Sequence, residues 1–216
     1  KEGWPDADWL KALYRLRRRR PVDAVILTTD SAADLQAQRR GTHPDGMRLA
    51  RIAELLRSSA PVYLLDVAEA RTVAHGLMPV ISCELPRQAD ADAIDGALRT
   101  LRDQLAQRVV AQLMEGNRDR YMGELSQRLD TRGKALANWI AGLGGRQRRR
   151  IPVAGIVFAP YPRPVAGEAN VQSSIDLPLW HYLGEAARRQ PGQRVGWHPV
   201  TVSAIVGLTA IGLWGA

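Results

Sequence analysis

Cysteine is nearly missing from this chain. Cys83 stands alone among 216 residues, which excludes an intrachain disulfide and any cysteine-based zinc site and fits a reducing compartment. Lysine is almost as scarce, occurring only at Lys1, Lys11 and Lys134, yet the formal net charge is +8 and the isoelectric point about 10.3. Arginine therefore carries the positive charge, a usage common in GC-rich genomes. Much of it sits in Arg17–Arg20, Arg146–Arg150 and the stretch from Arg188 to Arg194. A basic excess points toward nucleic acid or an anionic membrane. No aromatic is interleaved with the first two clusters, as a single-strand binder would want, and no nucleic-acid partner is expected; the runs read as solvated faces, two of them immediately ahead of predicted strands.

The motifs that carry common chemistries are missing too. No glycine loop ends in Lys-Ser/Thr to cradle phosphates; Gly142–Gly145 lacks the lysine and closes a helix instead of opening one. None of the four histidines, His43, His75, His181 and His198, has a partner histidine at i+4, so the helical zinc arrangement is missing, and each reads as a loop or surface residue. Serine has no GxSxG setting. Asp90, Asp92 and Asp95 cluster where a helix is predicted to start, and negative charge there complements the helix dipole. No catalytic, metal or cofactor-binding residue is assigned.

The hydrophobic fraction of 45% and charged fraction of 24% are ordinary for a globular chain, and the length suits one core, or one core and an appendage. Apolar spacing predicts a helix over Trp4–Leu16, using Trp9, Leu10, Leu13, Tyr14 and Leu16, with Asp6 as N-cap. A β-branched run, Val22–Thr28, predicts a buried strand. A helix over Met47–Leu56, a strand at Val62–Leu65, a short helix near Ala68–His75 and a strand at Leu77–Ile81 follow. Strands alternating with helices imply parallel pairing through crossovers. The period then changes. Ile94, Leu98, Leu101, Leu105, Val109 and Leu113 form one helical stripe; Met122, Leu125, Leu129, Leu136, Ile140 and Leu143 form a second. Gly116-Asn117 between them supplies the turn, predicting an antiparallel helical hairpin. Val153–Phe158 reads as a strand, Pro160–Ser174 as an irregular loop and Leu177–Ala187 as an amphipathic helix.

Val200–Ala216 contains no charged residue. Its 17 residues, at about 1.5 Å each, reach about 25 Å, slightly less than a hydrocarbon core. Trp197 suits the interface, and Arg188, Arg189 and Arg194 on its amino side place the preceding body in the cytoplasm. The chain opens at Lys1 without an initiator methionine and closes inside this run, so the sequence is expected to be an internal piece of a longer protein.

Several blocks, in order, resemble the cytoplasmic region of the TssM/IcmF family of type VI secretion inner-membrane subunits. The stretch from Trp9-Leu10 through Arg17-Arg18-Arg19-Arg20-Pro21-Val22-Asp23-Ala24-Val25-Ile26-Leu27-Thr28 is similar to that family's RRPxNGVxLT block, with Asp23-Ala24 in place of Asn-Gly, and Asp34-Leu35 matches the ADL that follows. Ala60-Pro61-Val62-Tyr63-Leu64-Leu65 resembles PVYLLVTKxDLL, and Ile151–Phe158 resembles LRGVYFTSG, which a membrane helix follows in the family. Where the family has Thr-Lys-x-Asp, this chain has Val67-Ala68-Glu69-Ala70. Ala68 and Ala70 can neither stack on nor accept from guanine, so the resemblance implies a degenerate GTPase-like body and no cofactor. It implies an α/β fold: a partial parallel sheet, P-loop GTPase-like with its N-terminal half absent, in residues 1–88; an added helical hairpin in 89–145; a strand, loop and helix in 146–196; and the start of a transmembrane helix in 197–216. The implied role is assembly, not enzymatic, in a hetero-oligomer at the bacterial inner membrane with residues 1–196 cytoplasmic. Its implied partners are the other membrane-complex subunits, baseplate components and lipid around the last helix. The rival reading is a nucleotide hydrolase whose phosphate loop lies upstream.

Overall fold

The computed structural model describes residues 6–18, 20–29, 44–70, 80–86, 89–115, 120–143, 152–162 and 176–194. They form a mixed α/β fold with a four-stranded sheet and five helices. In chain order these are α1 (Ala7–Leu16), β1 (Val25–Thr29), α2 (Pro44–Leu55), β2 (Ser58–Ser59), β3 (Val62–Ala70), β4 (Ile81–Glu84), α3 (Ala91–Met114), α4 (Tyr121–Leu143), β5 (Val153–Pro162), α5 (Asp176–Arg189) and β6 (Gln193–Arg194).

The main sheet runs β1-β3-β5-β4. β1, β3 and β5 are parallel, with Val25 opposite Val62 and Val62 opposite Val153, so all three start at one end. β4 is antiparallel to β5, Glu84 facing Gly155 and Ile81 facing Phe158. The expectation of a wholly parallel arrangement is thus corrected at β4, an antiparallel strand of the kind that often borders a parallel sheet. A register shift between Val62 and Tyr63 leaves Ala154 as an extra residue in β5. Gly155 follows it, where a Cβ would come within 3.0 Å of the Cys83 carbonyl oxygen.

Strand alternation sorts the core into two faces. Val62, Leu64, Ile156, Phe158, Ile81 and Cys83 point to one side, where α2, α3 and α4 cover them. Tyr63, Leu65, Ala154 and Val157 point to the other, against Leu179, Leu183 and Ala186 of α5. Leu10 of α1 packs separately on Ile52 and Leu56 of α2 and its following turn. Asp6 caps α1 as expected, accepting from the Asp8 N–H at 3.1 Å. The stripe of α1 is narrower than its sequence suggests, because Trp9 and Leu16 face solvent.

α3 and α4 are antiparallel: Arg102 meets Ser126 and Asp130, while Val109 meets Gly123. Asp90 caps α3 by accepting the Ala93 N–H at 2.8 Å, and Asp95 pairs with Arg99, so these acids serve the helix start. Both predicted stripes are buried except at the end of the first. Leu113 is 67% exposed, together with Val110 and Met114; α4 begins only at Tyr121, so the last turn of α3 runs past its partner.

Three boundaries differ from expectation. The predicted helix from Ala68 begins instead as strand, since β3 continues through Ala70, paired with β5 from Ala159 to Pro162. For the same reason Pro160–Pro162 belong to β5 and not to a loop. Among the described residues β4 ends its pairing at Phe158, leaving β5 beyond it paired to β3 alone, and a strand with one free side is where proline is tolerated. The third strand is described at Ile81–Glu84, sharing Ile81 with the predicted Leu77–Ile81, of which 77–79 lie outside the described residues; its buried–partly buried alternation is the period-two signal of a strand covered on one face. Val200–Ala216, the run Arg146–Arg150, and His43, His75 and His198 lie outside the described residues. No helix among the described residues is long and apolar enough to cross a membrane.

Candidate functional site

Parallel α/β sheets hold ligands beyond the carboxyl ends of their strands. One row of residues approaches that end here: Thr29 of β1, Asp66 of β3 and Phe158 of β5 lie side by side in register, all buried. Asp66 is the charged member. It shares a face with Val62 and Leu64, so strand alternation turns its carboxylate under α4 instead of out toward a ligand. Arg128 of α4 donates to Asp66 Oδ2 at 2.7 Å, and the Asp66 side chain is only 2% exposed against 21% for that of Arg128. The guanidinium also lies 6.0 Å from the Phe158 ring centroid. A charge-assisted bond of this kind in a nearly dry site is short and directional, and it ties the helical hairpin to the middle of the sheet.

Neither residue stood out in the sequence reading. A single carboxylate inside the apolar run Val62–Val67 was the visible signal for Asp66, and Arg128 sits between Leu125 and Leu129, at the margin of the α4 stripe. Val67-Ala68-Glu69-Ala70 forms the extended end of β3, four residues beyond the last pairing with β1.

A second polar group gathers on the opposite face. Burial first, then the nearby Tyr182 and Glu84, push the Tyr63 phenol up to about 12. Tyr182 is raised as well, by burial above all, although a hydrogen bond with Ser82 opposes that. On the hairpin side of β4, burial and then Glu84 push the Cys83 thiol up to about 11. These groups stay neutral at physiological pH and lack the activated character of a nucleophile. The shifts predict alkaline sensitivity. A thiol or phenol with a raised folded pKa stabilises the fold fully below its unfolded value and loses that contribution as pH rises through the folded one. Stability should hold from neutrality to about pH 9, then fall by about 3 kcal/mol for each of Cys83 and Tyr63 toward pH 11 to 12. Urea midpoints measured at increasing pH test this; a flat profile beyond pH 10 would contradict the buried settings of both groups.

His181 is an exposed residue on α5, 3.3 Å from Glu185 one turn on. No group of three or more histidine, cysteine or acidic side chains among the described residues could hold a metal ion. Between α3 and α4 a shallow open groove runs past Ala106, Val109 and Gly123, rimmed by Arg102, Ser126 and Asp130. Arg102 is engaged there by Asp103 and Asp130, at 2.8 and 2.7 Å. No family model, curated protein or solved structure matches the chain.

Proposed function

We propose that this chain is a structural and assembly component of a type VI secretion membrane complex, similar to TssM/IcmF subunits, carrying a degenerate P-loop GTPase-like body at the bacterial inner membrane. One observation supports this reading above the rest. The three blocks that resemble the family, ending in β1, opening β3 and forming β5, stand side by side as consecutive parallel strands. Chain order alone does not require this, because β4 and the whole hairpin intervene between β3 and β5. A GTPase-like body built this way would add its phosphate-binding strands beside β1. The extended Val67–Ala70, with alanine in both guanine-reading positions, supports an assembly role over hydrolysis. Val200–Ala216 would form the membrane anchor, with residues 1–196 cytoplasmic, and the other membrane-complex and baseplate subunits would be the partners.

The test has two arms. In bacterial cells the chain should resist alkaline extraction from membranes, and a periplasm-dependent reporter joined ahead of Lys1 should stay silent. Calorimetry with magnesium present should register no guanine-selective binding. Release into the soluble fraction would overturn the anchor, and micromolar GTP binding would shift the reading to a nucleotide hydrolase.

A further inference from the structure

The amino ends of β1, β3 and β5 gather a basic surface that neither the sheet nor the hairpin uses. Arg17 and Arg20 approach Asp23 just ahead of β1, at 3.5 and 2.8 Å. Arg20 also donates to the Ala187 carbonyl at 3.1 Å, which brings the end of α5, with Arg188 and Arg189, to the same place. Arg189 reaches Glu84, which faces Gly155 near the start of β5. Arg57 stacks on Tyr14 at 5.8 Å and immediately precedes β2. Arg18 and Arg188 are exposed and make no ion pair among the described residues. Among the described residues, the acids near this end are Asp23, Glu84, Glu185 one turn before Arg189 and Glu54 three residues before Arg57, all in ion pairs, and Asp90 and Asp92 at the start of α3, where Asp90 is occupied as a cap.

The path of the chain adds an independent constraint. β6 returns to pair with β2, Arg194 opposite Ser58 and Gln193 opposite Ser59. Gly192 makes that approach possible, since a Cβ there would lie 2.8 Å from the Ser59 carbonyl oxygen and 3.0 Å from Ala60 Cα. The backbone is thereby pinned at the basic end. Six residues later the uncharged run begins at Val200, and that many residues span at most about 20 Å.

We infer that this basic end docks on anionic phospholipid headgroups, so that the amino ends of the parallel strands face the bilayer while the carboxyl ends and the hairpin tip face away. The inference rests on the membrane reading above and adds an oriented lipid contact made by the folded body itself. Charge complementarity favours lipid, because each arginine near an anionic leaflet adds about 1 kcal/mol, roughly fivefold in partition. Nucleic acid fits less well. The exposed Trp9 and Trp180 lie about 12 Å along their helices from the nearest of these arginines, and Tyr14 is already covered by Arg57, which leaves no open stacking platform here among the described residues.

The whole chain is reconstituted into vesicles with headgroup-labelled acceptor lipid, with and without phosphatidylglycerol. A donor dye is placed through Gln193→Cys or Glu115→Cys, the buried Cys83 remaining unlabelled. The donor at position 193 should be quenched more than the one at 115 by roughly twofold or better. Phosphatidylglycerol should widen the difference and high salt narrow it. Combining Arg18→Glu with Arg188→Glu should remove most of the widening. Equal quenching at both positions in vesicle-inserted protein, or no response to phosphatidylglycerol, would overturn the docking surface while leaving the anchor standing. A DNA or RNA oligonucleotide that abolishes the phosphatidylglycerol response would also overturn it, in favour of nucleic acid. A chain that floats with no vesicle at all would sink the anchor and this surface together.

Discussion

Replacing Arg128 by methionine should destabilise the fold by about 3–5 kcal/mol, because it strips the guanidinium from a carboxylate already taken out of water. Asp66 is 1% exposed as a residue and cannot rehydrate without the hairpin moving off β3. Methionine keeps most of the arginine stem, so the loss reports charge rather than packing. Asp66→Leu alone should be milder, since the guanidinium left behind reaches solvent at its exposed edge. The pair Asp66→Leu with Arg128→Met should recover to within about 1–2 kcal/mol of the parent, as buried ion pairs replaced by apolar residues commonly do. Urea midpoints of the chain in mild detergent, read by far-ultraviolet circular dichroism, close the cycle. If Arg128→Met costs less than about 1 kcal/mol, the bond does not fasten the hairpin to the sheet.

That pair also marks where sequence reasoning stopped. The two helical stripes were legible because 24- and 23-residue helices repeat their period many times. Ten of the twelve stripe residues are buried, with Val109 partly so. Leu113 fails because its partner helix has not yet begun, a fact about α4 that α3 does not encode. The starts of β1 and β3 were legible from their β-branched and apolar runs. The far end of β3 was not, since Ala68-Glu69-Ala70 has helical propensity and it is pairing with β5, about 90 residues away, that is seen to hold it extended. The extension of β4 from Ile81 to Glu84 was missed for the same kind of reason: antiparallel pairing to β5 fixes its register, and a four-residue strand carries little pattern of its own. Asp66 and Arg128 are 62 residues apart in sequence. Each looks like an ordinary surface charge until the strand and the helix are laid together. Of the proposed anchor, only the composition was legible, while the basic end depended on β6 returning to β2, two residues against two.

Phe158→Ala should cost about 3–5 kcal/mol, the range for emptying a large aromatic site in a packed core. Phe158 is the chain's single phenylalanine and is 1% exposed. It stands between Asp66 of β3 and Ile81 of β4 in the sheet, and its side chain joins the cluster under the hairpin. Two losses combine on truncation. The cavity lies where strands from both sides and α4 converge, so collapse into it would require the sheet or the hairpin to shift. The ring also forms one wall beside the Arg128 guanidinium, so removing it lets water reach the Asp66 bond. Phe158→Leu, which retains most of the volume, should cost only about 1–1.5 kcal/mol. Leu113→Ala on the exposed end of α3 should stay within about 0.5 kcal/mol of the parent. The sharper test is coupling: Phe158→Ala combined with Arg128→Met should cost clearly less than the sum of the two, because both remove the same shielded bond. Strict additivity would mean that the aromatic ring and the ion pair act independently, and that the hairpin is held by its leucine stripe alone.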